Sequence, residues 1–233
     1  MIKLGITLFF GLFFSHFTFA IEVEKVISEM HKNYDLESSF STSLDYILFK
    51  GHDSNIISEQ YDGVVTNTKL GHYQRMDRVE YITTNEYAIQ LNNDQKYIAY
   101  NFPKRRDFTE DLKNALSSAS NSSVTKISGS YIVTLYFLGF TGSPFSKVKI
   151  KISSDDFLLE SVDMYFINDK NFSSSRGGKD FSKPHLRINY SNYTKKPIIN
   201  KNIFELSSYL RKENGLLFPV QKYKEYELID QRI

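Results

Sequence analysis

Alternation with a period of two constrains the fold of this chain more than any other feature. In residues 146–152, three β-branched apolar residues alternate with three lysines, and residues 40–48 alternate in the same way. Successive side chains of a strand point to opposite faces, so this pattern predicts strands with one buried face and one face in water, which is typical of antiparallel sheets. Further strands are predicted near 57–67, 71–76, 79–84, 86–92, 96–102, 124–138, 157–167 and 185–193, and a last one after Pro219 up to Ile229.

Two segments have the periodicity of a helix instead. Apolar residues recur at positions i, i+3, i+4, i+7 and i+11 from Val23 to Tyr34, which predicts an amphipathic helix. A second helix is expected to start after Asp107 as its cap, with Glu110 three residues later, and to give way to a loop at 117–123.

A third, short helix is expected around residues 204–210, with Gly215 in a C-cap role. The longest irregular segment, 168–184, is predicted to be a mobile loop. The predicted fold class is therefore mainly β (α+β). It has a curved antiparallel sheet of about nine to eleven strands, which forms an unclosed half-barrel with two or three helices on its concave side.

The N-terminus has the pattern of a secretory signal peptide. Lys3 precedes an apolar run from Leu4 to Phe14, and small residues lead to a cleavage site after Ala20. The run is shorter than the roughly 20 residues that span a bilayer, so a membrane anchor is the weaker alternative. We therefore expect residues 1–20 to be removed and 21–233 to form a single periplasmic or secreted domain, without a transmembrane segment.

Composition excludes several classes of function. The chain has no cysteine, which removes thiol catalysis, thiolate metal sites and the lipid-bearing cysteine of a lipoprotein. Without Lys3, 28 basic and 27 acidic residues give a net charge of +1, so nothing supports nucleic-acid binding. Four Asn-x-Ser/Thr sequons are interpreted as incidental in a bacterial chain.

The sequence contains no recognisable catalytic or metal-binding motif. It has no Gly-x-Ser-x-Gly elbow, no His-Glu-x-x-His and no glycine-rich phosphate loop. The acidic pair Asp155-Asp156 is expected to form a turn rather than a catalytic dyad. We therefore predict a protein that is not an enzyme and has neither a metal site nor a cofactor, although a hydrolase with a spatial His and carboxylate cluster remains a third alternative.

Apolar residues of the predicted strands form the candidate binding surface. If they line the inner face of a wide or incomplete barrel, they make a cavity for an apolar ligand. If helices fill that space, the same residues are core. The residues concerned are Phe40, Leu44, Tyr46, Leu48, Val133, Leu135, Phe137, Val148, Ile150, Val162, Met164 and Phe166.

The order of elements and five short motifs resemble a known family. They are Gly-Val-Val at 63–65, His-Tyr-Gln-Arg at 72–75, the turn and aromatic strand at 92–100, the strand at 186–190 and the Phe-centred segment at 202–206. The chain is similar here to the periplasmic lipoprotein carriers of the LolA type, which are unclosed half-barrels with helices as a lid. It differs in lacking tryptophan and in continuing through residues 216–233.

The resemblance implies a lipid or a lipoprotein acyl chain as the ligand, carried in the periplasm. It also implies that Arg75 is an inward residue engaged with the helical lid. Our first hypothesis is therefore a non-enzymatic carrier that shelters an acyl chain in an apolar cavity. The alternative is a structural or adaptor subunit of a cell-envelope complex, which would act through contacts with an envelope protein.

Overall fold

A computed structural model describes residues 23–35, 37–103, 108–139, 142–173 and 178–232, excluding the side chains of 108–111. The predicted signal peptide and the Asp107–Glu110 capping box lie outside the described residues or side chains. Helix α1 covers residues 23–34, and helix α2 is Phe108–Ser118. Three short 3-10 helices follow at Lys201–Phe204, Leu206–Ser208 and Gln221–Tyr223.

The described residues form sixteen strands. They are β1 (Phe40–Phe49), β2 (Ile57–Thr68), β3 (Gly71–Met76), β4 (Val79–Thr83), β5 (Ala88–Asn92), β6 (Tyr97–Asn101), β7 (Asn121–Ile127), β8 (Ser130–Tyr136), β9 (Phe145–Ser153), β10 (Leu159–Phe166), β11 (Lys170–Asn171), β12 (Phe181–Ser182), β13 (His185–Thr194), β14 (Leu210–Glu213), β15 (Leu216–Pro219) and β16 (Glu227–Asp230).

Twelve of these strands belong to one sheet, in the order β16-β6-β5-β4-β3-β2-β1-β13-β10-β9-β8-β7. Its two end strands, β16 and β7, do not pair with each other, so the sheet is not closed. This confirms the predicted fold class, mainly β with an unclosed antiparallel sheet. The expectation that every pair is antiparallel is wrong for one pair. Strand β16 runs parallel to β6, which the long connection between them permits.

The chain divides into two compact units, and both contain segments that are distant in sequence. Unit 1 comprises residues 1–34, 47–60 and 109–189, and unit 2 comprises residues 35–46, 61–108 and 190–233. Strands β1, β2 and β13 contribute residues to both units.

In unit 1, helix α1 buries the apolar stripe that its sequence predicts. Every member of the stripe is at most 6% exposed: Val23, Val26, Ile27, Met30 and Tyr34. The C-terminal end of the helix is held by hydrogen bonds to the turn that joins β9 and β10. The Tyr34 hydroxyl accepts one from the Leu159 amide at 3.0 Å, and the Asn33 amide donates one to the Asp156 carbonyl at 2.9 Å. The helix is thus fixed by both packing and polar contacts.

Two sequence predictions for unit 1 are wrong in detail. Residues 117–123 are not one loop, because α2 continues to Ser118 and β7 starts at Asn121. The single strand predicted at 124–138 is a hairpin of β7 and β8, since Ser128 and Gly129 have φ values of +49° and +82°. Two positive φ angles in a two-residue loop are the requirement of a type I′ turn, and Ser-Gly satisfies it.

The predicted irregular segment 168–184 contains a short pair of strands, β11 and β12. Its residues 174–177 lie outside the described part of the chain, and the mobility of this segment stays a prediction. The Asp155-Asp156 turn is confirmed. Asp156 accepts a hydrogen bond from the Leu158 amide at 3.2 Å, as expected for an aspartate in a tight turn.

In unit 2, the segment after residue 198 covers one face of strands β3–β6. The aromatic rings of Phe204, Tyr209 and Tyr223 pack there against apolar strand residues such as Ile82 and Leu91, which are fully buried. Buried tyrosines need partners for their hydroxyl groups. The Tyr87 hydroxyl donates to the Phe204 carbonyl at 2.8 Å and that of Tyr209 to the Ile203 carbonyl at 3.0 Å.

The helix predicted at 204–210 with Gly215 as its C-cap is wrong. Two 3-10 turns occupy 201–208, and the β14–β15 hairpin follows. Asn214 and Gly215, at φ +51° and +83°, form its two-residue turn, and Asn-Gly is a preferred sequence for such turns. Only the end of the last predicted strand is confirmed, as β16, because a 3-10 helix and a turn occupy residues 221–226.

Candidate functional site

The register of unit 1 places the predicted residues of strands β8, β9 and β10 on one face of the sheet. Val133 lies opposite Ile150, which in turn lies opposite Val162. In the next row of the same face, Val148 lies opposite both Leu135 and Met164. The sequence pattern therefore identified the residues that share this face.

This face is packed as a core. Val133 and Leu135 are fully buried, Ile150 is 2% exposed, and Phe137 and Val162 are each 9% exposed. The others in unit 1 are half-buried: Leu48, Val148, Met164 and Phe166. None of these residues lines either of the two cavities described below. Their part in ligand binding stays a prediction.

In unit 2, Phe40, Leu44 and Tyr46 are buried on β1. The Phe40 ring is stacked against Tyr193, with 6.1 Å between ring centroids. The Tyr46 hydroxyl accepts a hydrogen bond from the Gln74 amide at 3.3 Å, and burial raises the pKa of this tyrosine. Phe40 and Tyr46 thus have partners within the protein.

The guanidinium of Arg75 forms an ion pair with Asp62, 2.8 Å away, and donates to the Asp77 carbonyl at 3.4 Å. Its side chain is 38% exposed. The first contact lies within the β2–β3 hairpin of unit 2 and the second in the turn that follows β3. The engagement of Arg75 with a helical lid stays a prediction.

The cavity of unit 1 lies between the two helices. It has a volume of about 480 Å³, within the range of small-molecule sites, and we name it the interhelical cleft. Its apolar lining comes from Val23, Ile27, Met30, Leu112 and Leu116. Its polar lining comes from Glu24, Ser28, His31, Lys113, Ser117 and Ser122.

Sequence analysis missed this cleft, although it predicted the apolar stripe of α1. The signal that could have found it is the row of small polar residues beside each apolar stripe, such as Ser28 on α1 and Ser117 on α2. Small side chains at these positions leave space between two helices that otherwise bury apolar residues.

Unit 2 has a second cavity of about 570 Å³, on the opposite face of the β3–β6 meander from the aromatic core. It is lined mostly by neutral polar groups, including Gln74, Gln90, Asn101 and Gln231. Several of these amides already bond within the protein: Gln90 donates to the Tyr97 hydroxyl at 2.7 Å and Asn101 to Gln231 at 3.2 Å.

A cluster of charged and aromatic side chains lies in unit 1 on strands β10 and β13. Asp163 accepts hydrogen bonds of 2.7 Å from both His185 and Arg187. Burial opposes ionisation of Asp163, but these two hydrogen bonds outweigh it and hold the pKa of the carboxyl group below its usual value. The His185 ring is stacked between Tyr165 and Phe49, with centroid distances of 4.4 and 5.1 Å.

Within the described residues, no group of three or more His, Asp or Glu side chains is arranged to hold a metal ion. No helix in the described ranges is both long enough and apolar enough to cross a membrane.

No protein-family model and no curated protein sequence matches the chain. Its structure is similar to a solved structure of an uncharacterized conserved protein from Thermus thermophilus. The TM-score is 0.50 at 7% sequence identity, covering 90% of this chain and 99% of that one. At this level of identity the similarity shows the fold alone.

Two further solved structures match with lower TM-scores, each at 10% identity. A LolA superfamily protein from Nitrosomonas europaea has a TM-score of 0.33 and covers 77% of this chain and 96% of its own. A putative outer membrane lipoprotein-sorting protein domain from Vibrio parahaemolyticus has a TM-score of 0.35, with 79% and 97% covered.

Proposed function

We propose that this chain is an exported, non-enzymatic protein of the periplasm that binds the acyl chain of a lipid or lipoprotein in the interhelical cleft. The observation that carries the proposal is the cleft itself. Five apolar side chains from α1 and α2 line a space of about 480 Å³, whereas the predicted sheet face of unit 1 is filled. The proposed site is not the sheet face that the sequence predicts, whose part in ligand binding stays a prediction, and the ligand class is the same.

The size of the expected affinity follows from burial. Each methylene group removed from water contributes about 0.8 kcal/mol, so about fifteen methylenes contribute about 12 kcal/mol. The loss of freedom on association costs at least about 4 kcal/mol. The difference is at most about 8 kcal/mol, so the dissociation constant is expected to be about 1 μM or weaker. Acyl chains much shorter than this should bind too weakly to be retained.

The polar lining suits an amphiphile better than a hydrocarbon. Lys113 and His31 supply hydrogen-bond donors in the same cleft that the five apolar side chains line. A carboxylate or phosphate group attached to an acyl chain can meet these donors while its tail contacts Ile27 and Leu116.

A fluorescent fatty-acid probe tests the site with two neighbouring serines of α2. Ser117 lines the cleft and Ser118 does not, yet both are exposed and both donate to the Asn114 carbonyl. We expect Ser117→Trp to fill the cleft and to weaken probe binding at least tenfold. The matched variant Ser118→Trp should bind the probe like the wild-type protein.

Equal probe affinity in both variants, or no binding of the probe to delipidated wild-type protein, would refute the cleft as an acyl-chain site. Circular dichroism of both variants serves as the control for folding. Because the two substitutions add the same indole to adjacent exposed positions, a general loss of stability would affect both.

A specific observation favours the adaptor as a second candidate. The sheet face of unit 1 is filled, and large apolar side chains are exposed elsewhere in that unit: Ile56 at 62%, Ile57 at 50% and Phe181 at 60%. Native mass spectrometry of protein purified from the periplasm distinguishes the two functions. A copurifying lipid of a few hundred daltons, or a polypeptide that carries acyl chains, indicates the carrier, and a second polypeptide without acyl chains indicates the adaptor.

A further inference from the structure

Strand β9 presents three lysines on the face of the unit 1 sheet opposite to Val148 and Ile150. Register places Lys147 between Tyr136 on β8 and Tyr165 on β10. In the next row, Lys149 lies beside Asp163, which is itself opposite Arg187 on β13. We name Tyr136, Lys147, Lys149, Tyr165 and Arg187 the lysine face.

The two central lysines are held in place by an aromatic stack. The ammonium group of Lys147 lies 4.0 Å from the centroid of the Tyr165 ring, and that of Lys149 lies 5.9 Å from it. The same ring also contacts two imidazoles, the edge-on ring of His52 and the stacked ring of His185, which Asp163 fixes by a hydrogen bond. The cations are therefore positioned by a buried cluster rather than extended freely into solvent.

Lys147 and Lys149 form no ion pair among the described residues, although the Asp163 carboxylate is the cross-strand neighbour of Lys149. Lys151 is paired with Glu160 at 2.7 Å, and Arg187 is paired with Asp163. Across the part of the chain that the structure describes, no carboxylate lies within ion-pair distance of Lys147 or Lys149. Both ammonium groups lie near the same ring, so the distance between them is at most about 10 Å. This is about one Debye length at 0.1 M salt, so the two charges act together on a partner.

Amphipathic and apolar groups border this charge. Tyr136, the cross-strand neighbour of Lys147, is 44% exposed, and Leu138, two residues further along, is 47% exposed. Tyrosine beside lysine is the combination found at membrane–water interfaces, where the ring sits among headgroups and the ammonium group meets lipid phosphate.

We propose that the lysine face docks the protein on the surface of a bilayer that contains anionic lipids. The inference rests on the proposed function, because a carrier of acyl chains must meet the membrane that supplies or receives them. The positive charges of Lys147 and Lys149 complement anionic headgroups. Tyr136 of the lysine face and its neighbour Leu138 supply side chains suited to the membrane–water interface. It is separate from the interhelical cleft, none of whose lining residues it shares.

Co-sedimentation with vesicles tests this inference without any acyl-chain probe. Wild-type protein should bind vesicles of phosphatidylglycerol and phosphatidylcholine in equal parts, should not bind pure phosphatidylcholine vesicles, and should dissociate as salt is raised. One lysine near an anionic surface strengthens membrane affinity about fivefold. The double variant Lys147→Gln/Lys149→Gln should therefore bind the vesicles about 30-fold more weakly. The control Lys25→Gln/Lys212→Gln removes the same charge from exposed positions outside the face and should bind like the wild type.

The inference is overturned if the wild-type protein does not bind the anionic vesicles, or if both double variants lose binding equally. It is also overturned if the protein binds polyglutamate through the same two lysines but ignores the vesicles, since the partner is then an acidic polypeptide. The fatty-acid probe assay, run on the same Lys147→Gln/Lys149→Gln protein, should be unchanged. Loss of vesicle binding with intact probe binding assigns the defect to docking. Loss of probe binding with intact vesicle binding assigns it to the cleft.

Discussion

Replacement of Leu135 by alanine distinguishes a filled core from an open ligand surface in unit 1. Leu135 is fully buried on β8, and its cross-strand neighbours on β9 and β7 are Val148 and Ser122. Removal of three carbons from such a site costs the transfer free energy of those atoms and leaves a cavity. Leucine-to-alanine substitutions in cores lower the unfolding free energy by about 2–5 kcal/mol. Because Leu135 is completely buried, we expect Leu135→Ala to lower it by about 3 kcal/mol.

Urea unfolding measures this loss directly. In a chain of this length the dependence of unfolding free energy on urea is about 3 kcal/mol per molar, so Leu135→Ala should lower the midpoint by about 1 M. The control is Tyr136→Ala, the next residue, whose side chain lies on the opposite face and is 44% exposed. We expect it to change the unfolding free energy by less than about 1 kcal/mol.

A small effect of Leu135→Ala would refute the reasoning. If the face lined a solvent-filled cavity in the protein in solution, Leu135 would lose few contacts on truncation, and the two variants would unfold at similar urea concentrations. The sheet face, rather than the interhelical cleft, would then be the place to look for a ligand.

Two further predictions concern unit 2. Gly63→Ala should lower the unfolding free energy by about 1–3 kcal/mol, because a Cβ atom there would lie 2.7 Å from the Arg75 carbonyl oxygen. The control in the same urea assay is Gly51→Ala, whose Cβ would make only an ordinary contact at 3.5 Å. Burial raises the pKa of Tyr87 to about 12. A group whose pKa is higher in the folded protein stabilises it below the ordinary value near 10, so stability should fall as pH rises from 10 to 12. Absorbance at 295 nm should show Tyr87 ionising together with unfolding, and a Tyr87→Phe variant should lose less stability over that range.

Local patterns predicted much of the fold because their physical cause is local. The five-residue stripe of α1 follows from the helical repeat alone, and β3 has the predicted bounds, Gly71–Met76. The shared face of Val133 and Ile150 follows from alternation together with pairing of neighbouring strands. Each of these predictions needs only the geometry of one element or of two adjacent ones.

The errors arise where a turn or a distant segment decides the structure. Ser128-Gly129 and Asn214-Gly215 are turn dipeptides within segments that otherwise have the pattern of a strand or a helix, and their positive φ angles reverse the chain. The parallel pairing of β16 with β6 joins residues about 130 positions apart. The interhelical cleft likewise depends on the gap between two helices whose separation in space no local pattern encodes.

The composition of unit 2 from three separate stretches of chain has a consequence for the order in which the protein folds. Strands β3–β6 are complete by residue 101, but the residues that cover one face of them, Phe204, Tyr209 and Tyr223, are synthesised about a hundred residues later. Closing a loop of that length is slow compared with forming the hairpins of the meander. During this interval Ile82, Ile89 and Leu91 are exposed, and a chain with exposed apolar strands is prone to aggregate or to bind a chaperone. The protein therefore depends on its last thirty residues for kinetic protection during folding as well as for final stability.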